Sequence, residues 1–283
     1  SATASSFFHA KRVFELIRDW SPARLDTAIY THGHVDHVFG TGLFEKQASA
    51  EGWDPVRVIA HEACSARFDR YQLTNGYNGI INQRQFNFEQ PIFPKNFRYP
   101  DQTLREDLTL DLDGETVELR HDRGETDDHV WIWLPERKTT YTGDLFIWAS
   151  PNCGNPQKVQ RYPREWALAL RKMQALGAER LLPGHGPPII GGDRVHQALG
   201  EAAELLECLI EQTLSMMNEG AKLNDILHNV KLPDALLARP YLRPTYDDPF
   251  FIVHILWRLY GGWYEGNPAN LKPAPNAEVA QVL

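Results

Sequence analysis

Apolar residues recur along the chain at two different periods, one typical of helices and one typical of strands. Val13, Leu16 and Ile17 share one helical face, and Ser21-Pro22 follows as a signal that ends the helix. Spacing of this kind predicts helices at 7–20, 166–176, 193–218, 223–229 and 248–260. Short alternating or continuous apolar runs predict strands at 25–30, 56–60, 108–112, 117–121, 130–134, 139–142 and 180–182. This mixture indicates an α/β or α+β fold.

Two breaks in the pattern indicate how the chain is organised. Between Phe68 and Pro100 the chain is rich in Asn, Gln, Gly and aromatic residues without a sustained period. This predicts a long irregular excursion, of the kind that usually carries function. After Gly191-Gly192 every predicted element is a helix. We therefore expect a strand-rich domain over residues 1–192, an all-helical domain over 193–275 and a loose tail at 276–283.

The composition excludes several classes of protein. The chain has 283 residues, of which 42% are hydrophobic, and a formal net charge of −8 at pH 7. This acidic balance gives no extended basic surface, so nucleic acid is not an expected partner. No run approaches the roughly 18 apolar residues of a membrane span, and the N-terminal residues lack a signal-peptide pattern, so we expect a soluble chain. A cytoplasmic location, and a periplasmic or secreted one after loss of a signal, both stay open.

Four metal-ligand side chains stand within six residues after the first predicted strand. The pattern H-x-H-x-D-H is formed by His32, His34, Asp36 and His37. Zinc binds imidazole nitrogen and carboxylate oxygen at about 2.0–2.2 Å, and a catalytic ion keeps one position open for water. Alternate residues of a tight loop point to two neighbouring positions, so the pattern predicts two adjacent metal ions. The alternative is a polar loop whose histidines are satisfied by hydrogen bonds alone.

This cluster resembles the metal-binding motif of the metallo-β-lactamase superfamily. Asp144 in Thr142-Gly143-Asp144 matches the bridging carboxylate of that family, and His185 in Gly184-His185-Gly186 matches its final histidine. The resemblance implies an αββα sandwich in which loops at one end of two sheets hold the metals. Both matching residues are expected at the ends of predicted strands.

The third expected ligand departs from the common family pattern. Where most members have a Gly-His-Thr turn, this chain has Gly124-Glu125-Thr126. Glutamate at this place resembles the alkyl sulfatase branch of the superfamily, and a carboxylate is a competent zinc ligand. The alternative interpretation makes Glu125 one member of a solvated acidic run with Asp127 and Asp128, and makes His121 the true ligand.

A second resemblance to the alkyl sulfatases lies near the C-terminus. The segment from Tyr260 to Leu271 is similar to the one that closes their helical dimerisation domain. It implies that residues 193–275 form such a domain and that the protein is a homodimer. The superfamily fold ordinarily begins with strands before the helix at Phe7, and alkyl sulfatases usually carry a further domain. We therefore expect the sequence to be a fragment, or one chain of a larger assembly.

The resemblance also implies a set of metal ligands, position by position. The first of two zinc ions would be held by His32, His34 and Glu125, the second by Asp36, His37 and His185, and Asp144 would bridge them. Asp36 and Asp144 would be the catalytic carboxylates. Another divalent metal could replace zinc, and Glu125 could contact both ions.

Two segments are candidates for contact with substrate. The segment 77–84 is similar to the family's substrate loop, in which Asn78, Asn82 and Arg84 would face a sulfate group. The segment 152–162 is the second candidate, through Lys158, Arg161 and Tyr162. Guanidinium and amide N–H groups are suitable donors to the acceptor oxygens of a sulfate ester. The alternative for the asparagines is ordinary loop capping, and structural or surface roles are expected for His61, His129, His196, His228 and His254.

Together these features predict a metal-dependent sulfuric ester hydrolase. It would convert a small-molecule alkyl sulfate into an alcohol and inorganic sulfate with a metal-activated water. Because fold and metals do not choose the bond, a lactonase, phosphodiesterase or β-lactamase of the same superfamily is the first alternative. A metal-binding interaction protein without turnover is the second.

Overall fold

The chain contains both strands and helices up to residue 190, and the regular elements of the described residues beyond it are helices. A computed structural model describes residues 2–282, and the surroundings of side chains 10–281. The helices are α1 (Ala2–Trp20), α2 (Val35–Val38), α3 (Thr41–Glu51), α4 (Ala63–Leu73), α5 (Asn75–Phe86), α6 (Pro163–Ala175), α7 (Gly192–Asn218), α8 (Leu223–Asn229), α9 (Asp234–Leu237), α10 (Phe251–Gly261) and α11 (Asn276–Val282), with a 3-10 turn at Pro268–Asn270. The strands are β1 (Thr27–Ile29), β2 (Arg57–His61), β3 (Gln102–Leu104), β4 (Asp107–Leu112), β5 (Glu115–His121), β6 (Val130–Leu134), β7 (Thr139–Ile147), β8 (Arg180–His185) and β9 (Ile189–Ile190). Residues 1 and 283, the outermost positions of the predicted first domain and tail, lie outside the described residues.

Two β-sheets form the centre of the fold. β1, β2 and β3 make a parallel three-stranded sheet. The second sheet has six strands in the order β4 to β9, and its neighbours are antiparallel except for β7 and β8, a parallel pair connected by α6. The predicted hairpin of β4 and β5 turns at Asp113 and Gly114, which both have positive φ as this kind of turn requires.

The sequence of β6 explains why the second sheet is covered on both faces. Val130 and Ile132 face the first sheet and belong to a core between the two sheets. Trp131 and Trp133 alternate with them and pack on the opposite face, together with Trp166 of α6. Since the side chains of a strand alternate between its faces, a strand buried on both faces needs a continuous apolar run.

A second helical layer covers the three-stranded sheet. Val58 and Ala60 of β2 pack with Phe68 and Tyr71 of α4, whereas Ile59 between them belongs to the core between the sheets. The layers therefore follow in the order helix, sheet, sheet, helix, and the predicted αββα sandwich is confirmed. None of the helices within residues 2–282 combines the length and apolar character that a membrane crossing needs.

The C-terminal helices share the core of the sandwich. α7 packs along α6, and its buried residues join one hydrophobic cluster with Trp131 and Leu181 of the second sheet. α8 and α10 add residues such as Ile226 and Ile252 to the same cluster. The predicted boundary at Gly192 falls where the strands end, and the helical residues after it rest on the first domain. The division into residues 1–192 and 193–275 stays a proposal.

Residues 68–86 contain regular structure that the apolar pattern did not reveal. The predicted irregular excursion is wrong here, because these residues belong to α4 and α5. Only two residues of α5 are buried, Gly79 and Ile81. Its sequence therefore shows no apolar residues recurring at helical spacing. Asn78 and Asn82 each donate a side-chain N–H to the carbonyl four residues earlier. Their amides therefore bind the backbone of a helix and do not cap a loop.

Smaller differences concern the ends of elements. Asp144 was expected at the end of a strand, but β7 continues to Ile147. The pairing of β7 with β8 is irregular between Gly143 and Ile147, and irregularities of this kind redirect side chains near functional sites. The tail that was expected to be loose contains the helix α11, whose side chains up to residue 281 are exposed.

Candidate metal centre

Seven potential metal ligands meet at one end of the two sheets. The histidine motif follows β1 and continues into α2, whereas Glu125 lies in the connection between β5 and β6. Asp144 comes from the irregular part of β7, and His185 ends β8. The structure brings together every residue for which a ligand role was expected, in two groups of side chains: His32, His34, Glu125 and Asp144, and Asp36, His37 and His185.

The first group converges on one point. His32 Nε2 lies 2.9 Å from His34 Nδ1 and 3.3 Å from Glu125 Oε2, and His34 Nδ1 lies 3.2 Å from the same carboxylate oxygen. Ligand atoms at about 2.0–2.1 Å from a tetrahedral zinc ion are about 3.3 Å from one another. The three separations therefore match one face of such a tetrahedron.

The second group lies beside the first, and Asp144 lies between them. Asp36 Oδ2 is 3.3 Å from His185 Nε2 and 3.4 Å from His37 Nε2. Asp144 Oδ1 is 3.3 Å from His37 Nε2, while its Oδ2 is 3.5 Å from His185 Nε2 and 3.9 Å from His32 Nε2. With oxygens near both groups, Asp144 has the position that a bridging carboxylate needs.

Several of these atoms are buried without a hydrogen-bond partner among the described residues. They include His37 Nε2, Glu125 Oε2 and Asp144 Oδ1. Leaving a buried polar group unsatisfied costs about 1–3 kcal/mol, and more for a charged one. A divalent cation would remove that cost because it accepts several lone pairs at once. The residues fit divalent metal ions, and a set of imidazole and carboxylate donors is suitable for zinc.

Burial and the neighbouring carboxylates shift the pKa values of the histidines in the cluster in opposite directions. Burial lowers the pKa of His34 to about 4, so its imidazole is neutral at pH 7. Burial also acts on His37, but the carboxylates of Asp144 and Asp36 outweigh it and raise the pKa of His37 to about 10. Hydrogen bonding to Asp144 and Asp36 raises the pKa of His185 to about 10. The second group thus attracts positive charge, whether as protons or as a metal ion.

Glu125 is held in one orientation by two buried side chains. Its Oε1 forms an ion pair with Arg161 Nη1 at 2.6 Å and accepts a hydrogen bond from Asn152 Nδ2 at 2.9 Å, while Arg161 Nη1 also donates to the backbone carbonyl of Glu125 at 2.8 Å. Burial opposes an ionised carboxylate, but Arg161, His34 and His32 together outweigh this effect and hold the pKa of Glu125 well below its usual range. Because Oε1 is engaged in this way, Oε2 is the oxygen that faces His32 and His34.

The alternative ligand, His121, lies away from the cluster. Its ring stacks on that of His61 with centroids 3.8 Å apart, and its Nδ1 is hydrogen-bonded to the carbonyl oxygen of His129. His129 is fully buried, stacks on His32 and bonds to a backbone carbonyl of β7. The position of His121 away from the cluster favours Glu125 as the ligand. His61, His121 and His129 instead pack against other rings.

A large cavity opens onto the ligand cluster. Its volume is about 1070 Å³, and the ligands Asp36, Asp144 and His185 lie in its wall. The remaining wall is mostly apolar and comes largely from α5, the segment after it and residues 147–161. Its apolar members include Phe39, Tyr77, Ile81, Phe86, Phe93 and Trp148. Small-molecule sites commonly measure about 300–1,000 Å³, so this space is ample for an organic substrate.

The expected substrate residues do not all reach this cavity. Asn78, Asn82 and Arg161 line it, whereas Arg84 and Tyr162 are absent from its described wall. Residues two apart on a helix point to opposite sides, which explains why Arg84 is exposed while Asn82 faces the cavity. The ring of Tyr162 instead lies beneath the guanidinium of another residue, Arg123.

The polar groups on the cavity wall differ in what else they bind. The amide of Asn78 donates to Thr74, and the guanidinium of Arg161 is engaged by Glu125, so both already have partners. Lys158 lines the cavity and has no ion-pair partner within residues 10–281. Burial lowers the pKa of its ammonium group. Of these three side chains, Lys158 has the most capacity left to bind an anion.

Reasoning from the sequence missed an ion-pair network beside the ligands. Asp127 and Asp128, which one alternative placed in a solvated run, pair with the buried guanidinium of Arg67 in α4. Asp128 stands two residues before the buried strand β6, and a carboxylate this close to a buried strand is a signal that it needs a partner. No local pattern indicates that the partner is Arg67, because 61 residues separate the two.

Comparison with known proteins agrees with the fold. A family model described as the metallo-beta-lactamase superfamily matches residues 5–185. A second model, described as alkyl sulfatase dimerisation, matches residues 222–283. The two resemblances that the histidine motif and the C-terminal segment indicated are confirmed.

Similar proteins include enzymes that act on alkyl sulfates. A linear primary-alkylsulfatase of a Pseudomonas species is 25% identical over 99% of this chain and 57% of its own length. An (R)-specific secondary-alkylsulfatase, also from Pseudomonas, is 27% identical over 89% of this chain and 42% of its own. The solved structure of the inverting sec-alkylsulfatase Pisa1 from Pseudomonas, 24% identical, has a TM-score of 0.81 over 95% of this chain and 46% of that one. The chain spans about half the length of these relatives.

We expect Glu125→Gln to weaken binding of the first metal ion. The substitution keeps the shape of the side chain but removes the charge that faces His32 and His34. Loss of an outer partner of a ligand typically weakens binding about 10–100-fold, so the change of a ligand should reach the upper part of that range or exceed it. Metal content after dialysis against a chelator measures the effect. Glu118→Gln, which alters a carboxylate paired with Arg120 on β5, is the control, and full metal content in Glu125→Gln would contradict the ligand assignment.

Metal binding should release protons and should strengthen as pH rises. The pKa values of His37 and His185 are raised to about 10, so both rings carry protons near neutrality that an ion has to displace. With two protons displaced, affinity should rise on the order of a hundredfold per pH unit between pH 6 and 8. Competition with a chromophoric chelator and calorimetry in two buffers measure this. An affinity that stops rising near pH 7 would indicate ordinary histidine pKa values.

Proposed function

The chain belongs to the metallo-β-lactamase superfamily, and from that premise we propose that it hydrolyses alkyl sulfate esters to an alcohol and inorganic sulfate. The similarity to two alkylsulfatases over most of the chain supports this substrate class. The match of residues 222–283 to the alkyl sulfatase dimerisation model supports the same branch. We propose that the reaction uses two metal ions, zinc in both positions.

The shape and chemistry of the cavity carry the proposal. An alkyl sulfate has a charged head and an apolar tail, and the cavity has the ligand cluster in one part of its wall and a mostly apolar surface elsewhere. Tyr77, Ile81, Phe86 and Phe93 supply apolar surface that would bury the tail. Burying apolar area contributes about 25 cal/mol per Å², so a long chain gains affinity in proportion to its length.

Lys158 is our candidate for binding the sulfate group. It lines the same cavity as the ligand cluster, and Glu125 and Asp36 are close enough to affect the pKa of its ammonium group. A sulfate ester presents several acceptor oxygens, and an ammonium group offers three donors. Arg161 is less suitable because Glu125 already engages its guanidinium.

The ligand side chains divide the remaining tasks. Metal ions held by these groups would act as Lewis acids on the ester and lower the pKa of a water molecule. Asp36 Oδ2 faces His37 and His185, so we assign to its Oδ1 the acceptance of a hydrogen bond from the attacking water. Asp144 presents its oxygens to His37 Nε2 and His185 Nε2 at 3.3 and 3.5 Å, so it would help to hold the metal ions beside these two histidines. These roles make Asp36 and Asp144 the catalytic carboxylates.

We also propose that the protein is a homodimer formed through its C-terminal helical part. Tyr260, Trp263 and Leu271 expose roughly half or more of their surface there, at 48%, 67% and 52%. Neighbouring exposed apolar side chains often mark interaction surfaces. The match of this region to a dimerisation model supports a second copy of the chain as the partner.

The zinc-loaded protein should release inorganic sulfate from octyl sulfate. A chelator should abolish this release, and added zinc should restore it, because the water is activated only at the metal ions. Ion chromatography of the sulfate formed is the measurement. Lactones and phosphodiesters serve as parallel substrates, and turnover of these alone would contradict the sulfate assignment. Metal binding without turnover of any ester would favour the interaction-protein alternative.

Lys158→Met should lower kcat/KM for octyl sulfate without changing metal content. A hydrogen bond to a charged group contributes about 1.5–3 kcal/mol, which corresponds to about a 10- to 150-fold loss. Lys138→Met is the matched control, since Lys138 is exposed and pairs with Glu179 on the surface. An unchanged kcat/KM in Lys158→Met would remove this residue from the site.

A further inference from the structure

Asp128 is a buried carboxylate that lies next to the metal ligands without being one of them. It stands three residues after Glu125 and is fully buried. Its Oδ2 accepts a hydrogen bond from the backbone N–H of Gly33 at 2.8 Å. Gly33 separates His32 from His34, two of the four residues in the first group. Asp128 therefore binds the backbone of the loop that carries these ligands.

The other oxygen of Asp128 is engaged by an arginine from the helical layer. Arg67 Nε donates to Asp128 Oδ1 at 3.0 Å, and its Nη2 pairs with Asp127. Arg67 is itself buried, at 5% exposure, and its side chain also reaches the wall of the substrate cavity. Removing one partner of a buried pair leaves an uncompensated charge, so the two residues depend on each other.

The backbone of Gly33 packs closely against Arg67 and Asp128. A Cβ at Gly33 would stand 2.8 Å from Arg67 Cδ and 3.0 Å from Asp128 Oδ2, closer than side chains normally approach. The peptide between the two histidines is thus fixed by a hydrogen bond and by contact on the same side. A small rotation of that peptide would separate His32 Nε2 from His34 Nδ1, which are 2.9 Å apart.

We propose that Asp128 and Arg67 are positioning residues that hold the His32-Gly33-His34 loop in the geometry required by the first metal ion. The proposal rests on the proposed metal-dependent function, because it concerns the same centre. Outer partners of metal ligands raise affinity by fixing the orientation of the ligands, and their loss typically weakens binding about 10–100-fold. Here the effect acts through the backbone, since Asp128 contacts neither imidazole directly.

The experiment compares Asp128→Asn with wild type by metal titration of the full chain. Cobalt(II) serves as the probe because its visible spectrum reports ligand geometry. In Asp128→Asn the amide cannot accept from both Gly33 and Arg67, so we expect about a 10–100-fold weaker first site and an altered spectrum, with the second site unchanged. Asp122→Asn is the control. Asp122 lies near the same turn, but its carboxylate binds Trp131 and Lys172 instead of the histidine loop, so its variant should match wild type.

Gly33→Ala tests the same contact while keeping every charged group. The added methyl group should push the loop away from Arg67 and Asp128 and reproduce the altered spectrum, even if Asp128→Asn fails to fold. Wild-type affinity and spectrum in a folded Asp128→Asn, or in Gly33→Ala, would overturn the proposal and leave the proposed function standing. A wild-type protein that binds neither cobalt nor zinc would overturn both.

Discussion

Two buried carboxylates in one short turn, Glu125 and Asp128, are the constraint on which the metal centre depends. The turn between β5 and β6 removes both from water, and ionised groups in such a position need compensating charge. That charge comes from the two helical layers: Arg67 belongs to α4, and Arg161 lies just before α6. The turn is therefore fixed by ion pairs to both sides of the sandwich, and the ligand cluster is fixed with it.

Each arginine engages one oxygen of its carboxylate and leaves the other for the histidine loop. Glu125 Oε2 faces the imidazoles, and Asp128 Oδ2 binds the loop backbone. Glu125 stands where most members of the family have a histidine, so it adds a negative charge to the first site. That charge would reduce the Lewis acidity of a bound ion. Arg161 offsets that charge, because its guanidinium lies 2.6 Å from Glu125 Oε1. Glu125 and Arg161 therefore act together as one buried ion pair beside the candidate first metal site.

The apolar pattern was sufficient for most strands and helices, because strands such as β6 are buried on both faces and need a continuous apolar run, whereas the arrangement as an αββα sandwich came from the family resemblance. The histidine motif was recognisable because metal chemistry restricts the residue types at each of its positions, whereas Asp144 and His185 were assigned through the family resemblance. α5 was missed because it covers a cavity and buries few of its residues. The pairing of Arg67 with Asp128 was missed because a buried ion pair leaves no periodic trace when its members are far apart in sequence. Which residues are buried in the core can be predicted from a single sequence, whereas polar contacts between distant segments cannot.

The elements that carry the candidate ligands differ from those that line much of the cavity. The sheets and the turns at their ends supply the candidate ligands, whereas α5 supplies part of the cavity wall and the C-terminal helical part adds to it. Gln85 of α5 donates to the hydroxyl group of Tyr246 at 2.5 Å, and Tyr246 and Arg258 both line the cavity. The C-terminal part therefore contributes to the site itself, beyond any role in association. Since neither segment provides a metal ligand, substitutions there can reshape the apolar wall while the cluster of histidines and carboxylates stays intact.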